Sequence, residues 1–428
     1  MSIRRRELGR LTLGAGAAFL LGAEMRSSVS AQQSTAGPAQ GPRPVFPARA
    51  LPSSPLHPFL QQYVQHGEAS VAEAFKGITT DGSVVPGLFP VQATGIATRP
   101  IAAAAELFLQ SLGAEQQAAA RFPVDSDAWR RWSNFHVYLM RHGMLLEEMT
   151  PGQRDRALAL LAESLSPLGF ESARNVMKLN ETIREITGSS EEYGEWLYWL
   201  SIMGTPFPDE PWGWQIDGHH LIVNCFVLGD QVVMTPMFMG SEPVAADAGT
   251  YAGVRVFQAE EHEGLALMRS LSAEQRRQAT LLSELPADVY ATAFRDNLVL
   301  RYEGIRFGEL SDAQQARLLV LLEIYVQRIR PGHAEVKLEE VKRHLADTYF
   351  AWIGGVDEDS VFYYRIHSPV VLIEFDHQRG VALDNAELSR RHIHTLVRTP
   401  NGNDYGKDLL RQHHAQFDHS HRATAAHA

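Results

Sequence analysis

Leu221-Ile222-Val223-Asn224-Cys225-Phe226-Val227-Leu228-Gly229-Asp230-Gln231-Val232-Val233-Met234 is the stretch on which the fold turns. Upstream of it apolar residues recur at helical spacing. Here they run almost continuously, rich in β-branched side chains, and break at Gly229-Asp230. A two-residue Gly-X loop between apolar runs is a hairpin signal. The pattern predicts strands from Trp214 to Leu228 and from Gln231 to Met239, with Asn224 opposite Thr235 and His220 opposite Met239. Both faces are largely apolar, so the hairpin is expected to be central and covered on both sides. Pro236 marks a bulge or an edge.

Around this hairpin the periods alternate. From Pro58 to about Trp199 the reading is mostly helical, with clear runs at Ala102–Leu112, Gln153–Leu165 and Ser172–Ile186. Helices return at Ala259–Leu282 and Asp312–Arg330. Strands follow at Thr348–Ile353, Val361–Asp376 (interrupted by Pro369) and His392–Thr399, then a terminal helix at Lys407–His414. Thr150-Pro151-Gly152-Gln153, Ser272-Ala273-Glu274-Gln275 and Ser311-Asp312-Ala313-Gln314 each fit a capping box, and Gly113-Ala114-Glu115-Gln116 is a weaker copy. Their unequal intervals exclude a solenoid. The recurrence reads first as good helix starts, with an ancient duplication as the alternative. The expected fold is α+β: a helical N-terminal half packed on a largely antiparallel sheet made from the central hairpin and the C-terminal strands.

The 428 residues are 45% hydrophobic, enough for a large core. A net charge of -11 argues against nucleic acid or an anionic membrane as partner. Residues 1–31 read as a twin-arginine-type signal: Arg4-Arg5-Arg6 precedes a short apolar stretch from Leu11 to Leu21, with small residues Val29-Ser30-Ala31 before Gln32. That predicts a periplasmic or secreted protein. Residues 32–57 form a Pro/Ala/Gln-rich linker, 58–414 a single domain, and 415–428 a His-rich tail. No later stretch reaches the ~20 apolar residues of a membrane span. Cys225, the single cysteine, reads as a buried small hydrophobe.

The chemistry concentrates near the C-terminus. Glu374 and Asp376 lie at i, i+2 and so share one face of a strand; His392 and His394 do the same. If the two strands pair, these four residues meet on one patch as candidate ligands for Zn, Fe, Mn or Cu. A metal-free acid/base cluster, or His–carboxylate pairs that only fix register, are the alternatives. Arg398, on the face of His392 and His394, is a catalytic candidate. So are His219 and His220, of which a strand would direct only one to a given site. Glu260-Glu261-His262-Glu263 lacks the second histidine of a zincin helix and reads as a solvated helix start. Arg130-Arg131-Trp132 reads as an exposed helix face. There is no nucleotide-binding glycine loop, Gly-x-Ser-x-Gly elbow or Cys-x-x-Cys.

Pro211-Trp212-Gly213-Trp214, Asp217-Gly218-His219-His220, Thr235-Pro236, Met239-Gly240, Ile373-Glu374-Phe375-Asp376 and His392-Ile393-His394 together resemble the bacterial domain-of-unknown-function family 3500, over roughly Pro58 to His414. The resemblance implies an exported bacterial protein and no established activity. His377 stands where the family would have an asparagine-like residue. Two expectations for function follow. One is an exported metal-dependent enzyme, hydrolase or oxidoreductase, acting on a small molecule. The other is a non-catalytic periplasmic binding or interaction protein whose His and acidic residues are structural pairs. Oligomeric state is not legible.

Overall fold

The computed structural model describes residues 58–135, 141–207, 210–282, 284–383 and 385–417. The expected signal, the whole 32–57 linker and the His-rich tail beyond residue 417 lie outside them.

The chain is built twice. In the first repeat, helices Arg99–Gln110 and Ala114–Ala120 lead into β1 (Arg121–Phe122) and β2 (Met144–Leu145). Helices Pro151–Ser164 and Pro167–Thr187 follow, then β3 (Tyr198–Gly204), β4 (Trp212–Gly218), β5 (Leu221–Leu228), β6 (Gln231–Val233) and β7 (Met237–Ser241). The second repeat has the same order. Helices Gln258–Ser270 and Ala273–Ala279 lead into β8 (Thr280–Leu282) and β9 (Ile305–Arg306). Helices Asp312–Val326 and His333–Arg343 precede β10 (Tyr349–Gly354), β11 (Phe362–His367), β12 (Leu372–Arg379) and β13 (Leu388–Arg398). Registers correspond as well: Ile202 pairs Trp214 as Trp352 pairs Tyr364, and Gln215 pairs Asn224 as Arg365 pairs Glu374.

One 13-stranded sheet runs through both repeats in the order β1-β3-β4-β5-β7-β13-β12-β11-β10-β8. The antiparallel β7–β13 seam joins the halves, and its Met237–Val397 pair lies on the pseudo-twofold axis. The recurring capping motif is therefore a repeat signature. Gln153 caps its own helix and donates from Nε2 to Ser111 O and Gln116 Oε1; Gln314 does the same to Ser270 O and Gln275 Oε1. Each pair of capping boxes is thus stitched together through glutamine amides.

Two parts of the α+β expectation need correction. The sheet is mixed, because β1–β3 and β8–β10 run parallel. Helices are not gathered in the N-terminal half; each repeat brings its own.

The central hairpin also folds differently. The run 214–228 is not one strand. It turns back at His219-His220, so that Gly218 faces Leu221. Gly218 is needed there, since a Cβ would lie 2.4 Å from the Tyr198 ring. Gly229-Asp230 makes the predicted tight turn, with Leu228 opposite Gln231. Near Pro236 the register slips by one residue, so Leu221, not His220, faces Met239, and Asn224 donates to Pro236 O. Pro369 likewise splits the long C-terminal run into β11 and β12.

Burial explains several further residues. Trp212, Trp214 and Cys225 are core. Arg130 is buried against Asp296, and Glu260 is buried against Arg328, so neither belongs to a solvated face. A buried charge needs a partner, and a single sequence does not show which distant residue supplies it.

Candidate metal centre

The His219-His220 turn delivers one histidine to the sheet surface beside the β7–β13 seam. His220 has a left-handed backbone (φ 62°), an uncommon state for a residue with a Cβ. Its carbonyl accepts from Gly240 N at 2.8 Å, which ties the turn to β7. The two other histidines come from β13. Its ladder with β12 breaks after the Ile393–His377 pair and resumes at Ser389–Gln378, leaving residues 390–392 as a bulge. Bulges re-aim side chains beside functional sites. Here the bulge ends at His392, and His394 follows in the regular strand.

The three imidazoles converge. His392 Nε2 is 3.0 Å from His394 Nε2 and 3.1 Å from His220 Nε2, and His394 Nε2 is 3.2 Å from His220 Nε2. The residues are only 5%, 4% and 6% exposed for His220, His392 and His394. Gly240 makes the space: a Cβ there would sit 2.9 Å from His394 Cδ2 and 3.1 Å from His220 Cδ2.

Their outer nitrogens fix the tautomers. His392 Nδ1 lies 2.6 Å from Arg379 O, an obligate acceptor, so it carries the proton and donates. His394 Nδ1 lies 2.9 Å from Asp288 Oδ1. Burial alone would raise the Asp288 pKa, but the adjacent His394 and the Thr292 and Val289 donors pull it below the ordinary value, so the carboxylate is anionic and accepts. In the neutral rings both Nε2 atoms then present lone pairs to each other at 3.0 Å. Two acceptors at that distance repel unless a cation sits between them. Burial and then the proximity of His394 push His392 down to about 4, which disfavours a proton on that ring. The charge that His394 exerts on Asp288 makes a proton on His394 one way to fill the gap, and a metal ion shared by all three rings is the other. With metal–nitrogen bonds of about 2.1 Å, the observed separations subtend about 90–100° at the ion, whereas a regular tetrahedron needs nitrogens about 3.4 Å apart.

Outside the histidines lies a carboxylate layer. Glu242, buried, accepts from the amides of Val381, Ala382 and Leu383, with Oε2 3.6 Å from His392 Nδ1. Asp376 is the cross-strand neighbour of His394, and its carboxyl oxygen groups with Asp288 and a His394 nitrogen within 4.8 Å. Burial, then the charges of Asp288 and Glu374, hold its pKa well above the carboxylate range. Gln378 donates to Oδ2, and Oδ1 is buried without a partner in the structure.

Of the sequence candidates, the structure brings His220, His392 and His394 together and places Asp376 beside them. It does not bring Glu374 or Arg398 to the three imidazoles. Glu374 is saturated by the amides of Tyr290 and Ala291 and by the Tyr363 hydroxyl. Arg398 is spent on Asp296, Asp404 and the carbonyls of Ala291 and Thr292. Both residues grip the 288–292 loop, the one that carries Asp288. His219 is a buttress: its ring stacks on His220 at 3.9 Å, and Nδ1 pairs with Asn180. His377, within β12, accepts from Phe362 N and pairs with Glu261. Sequence reasoning missed Asp288 and Glu242. Each is a lone acid in a loop or at a strand end, with no spacing to mark it.

The pseudo-symmetric positions are Val232, Met234 and Val370, so the second repeat's β13 histidines have only apolar counterparts. No curated protein and no solved structure matches the chain. One family model does, described as protein of unknown function (DUF3500), over residues 94–407. The chain is a member of that family.

Proposed function

We propose that the protein is a metal-dependent enzyme acting on a small molecule, with one divalent ion on the Nε2 atoms of His220, His392 and His394. The observation that carries this is the convergence of three buried Nε2 atoms at 3.0–3.2 Å from one another, with the Nδ1 atoms of His392 and His394 held by Arg379 O and Asp288. Near-right angles at the ion favour five- or six-coordinate Fe or Mn over tetrahedral Zn, and Cu remains within the donor set. Three nitrogens leave positions for water or substrate, where the ion polarises a carbonyl or activates water or dioxygen. Asp288, one-third exposed at its side chain, lies on the more open side. Asp376, whose burial favours the protonated carboxyl, is the acid at hand. Hydrolytic and oxidative chemistry share these requirements.

A second reading follows from the burial of the three histidines. His220 belongs to the first repeat and the other two to the second, so an ion here also clamps the halves in a non-catalytic binding protein. The N-terminal pattern supports export by the twin-arginine route, which carries proteins already folded around their metal; retention in the cytoplasm of an Arg4→Lys/Arg5→Lys variant tests it. Elemental analysis of untagged protein ending at His414 tests the metal reading. About one Fe or Mn per chain, lost in His392→Ala/His394→Ala, is expected, and a metal-free protein of unchanged stability overturns it. Turnover by the loaded protein across hydrolase and oxidase substrate panels then separates enzyme from clamp.

A further inference from the structure

The two repeats differ in length where the metal centre lies. Ile222 pairs Phe238 in one as Leu372 pairs Arg398 in the other, so the numbering offset is 150 on the first strand of the hairpin and 160 on the second. The connection between them has therefore gained ten residues in the repeat that carries His392 and His394. Its sister is the two-residue turn Gly229-Asp230.

The added segment is not a loose excursion. Val381, Ala382 and Leu383 donate their amides at 2.9–3.0 Å to Glu242, which is 1% exposed. Gly380 N donates to Asn385 O, closing the segment on itself. At its base Arg379 O accepts from His392 Nδ1. Glu242 is on the first repeat, the segment on the second, and His392 lies between them. Val381 itself remains 37% exposed, so the segment is held by its backbone, not by burial of an apolar face.

We propose that residues 379–383 and 385–387 form a strap specific to the metal-bearing repeat, and that Glu242 is the positioning residue that couples it to the ion. Glu242 holds the strap amides. The strap base holds His392 as the Nδ1-protonated tautomer. That tautomer aims the Nε2 lone pair at the metal. Opening the strap removes the Arg379 carbonyl and frees His392 to rotate, so metal binding and strap closure favour each other. Linkage makes the effect reciprocal. Outer-sphere partners of this kind are typically worth about 10–100-fold in metal affinity.

The inference rests on the metal reading above, and the experiment separates the two. Amide exchange by mass spectrometry is followed on the whole chain, with Co(II) and with chelator, for wild type and Glu242→Gln. Co(II) affinity is read from its visible absorption. Exchange at Val381–Leu383 is expected to slow at least tenfold on adding Co(II) to wild type. Glu242→Gln should erase that difference and weaken Co(II) about 10–100-fold, while β4 and β11 amides exchange as in wild type. Should Glu242→Gln fail to fold, the wild-type comparison decides alone. Equal exchange at Val381–Leu383 with and without bound Co(II) overturns the strap, as does a folded Glu242→Gln of wild-type affinity. A wild type that binds no Co(II) at the histidines overturns the metal reading itself.

Discussion

Gly240→Ala tests the geometry of the centre without touching a ligand. Gly240 is in β7, directly across from His394. An added Cβ meets His394 Cδ2 and the Ile393 carbonyl at 2.9 Å and His220 Cδ2 at 3.1 Å. Ordinary carbon contacts start at about 3.5 Å, so two of the three rings must retreat by about 0.4–0.6 Å. The strand backbone cannot give, because Gly240 N is bonded to His220 O. Metal–ligand distances tolerate only about 0.2 Å. The overpacking costs about 1–3 kcal/mol of stability, and affinity for the metal falls about 10–100-fold, or about 1.4–2.8 kcal/mol. Co(II) titration followed by visible absorption measures the second quantity, and thermal melts with and without Co(II) measure both. The shift in melting temperature on adding metal should shrink in the variant. Gly152→Ala, where a Cβ meets nothing within 4 Å, is the control. A Gly240→Ala protein that binds Co(II) as tightly as wild type refutes the three-histidine geometry.

Other outcomes follow from the same structure. Arg398→Met leaves Asp404 buried without its cation and Asp296 with Arg130 alone, so stability measured by denaturant falls by about 3–5 kcal/mol while metal stoichiometry stays at that of wild type; loss of metal with intact stability would return Arg398 to the site. Glu374→Gln should likewise lower the melting temperature, by weakening the hold on the 288–292 loop, and leave at least one equivalent of metal bound. Burial depresses His392 and His142 to about 4 and His367 to about 3. Their folded values lie below the unfolded one, so these rings contribute metal-free stability that rises with pH between about pH 4 and 6.5, while the raised Asp217 and Asp376 carboxyls contribute in the opposite sense. Ring titration by NMR isolates the histidines: His142 and His367 should stay uncharged at about pH 5.5, and titration near the ordinary imidazole value contradicts the burial of these rings.

How much of this was legible in the sequence depends on the range of the interaction. The i, i+2 spacing of His392 and His394 and the Gly229-Asp230 turn are local, and both were readable. The back-turn at His219-His220 was not, because Gly218 fits a strand bulge as well as a turn and a left-handed histidine leaves no pattern. Glu374 and Asp376 share a face, yet two residues along the strand one meets the 290–291 amides and the other His394. That difference comes from a loop some eighty residues away. The duplication was visible only as four Ser/Thr/Gly-x-x-Gln helix starts. Its ligand positions have diverged to Val232, Met234 and Val370 in the sister repeat, so residue identity hides what strand register displays.

The account rests on one ion held by three nitrogens, and anomalous scattering from crystals of the metal-loaded protein measures that directly. Data collected on either side of the metal's absorption edge should show one strong peak about 2.1 Å from the Nε2 atoms of His220, His392 and His394. A peak among Asp288, Asp376 and Glu374 that excludes His220, or no peak between the imidazoles of a loaded crystal, would contradict it.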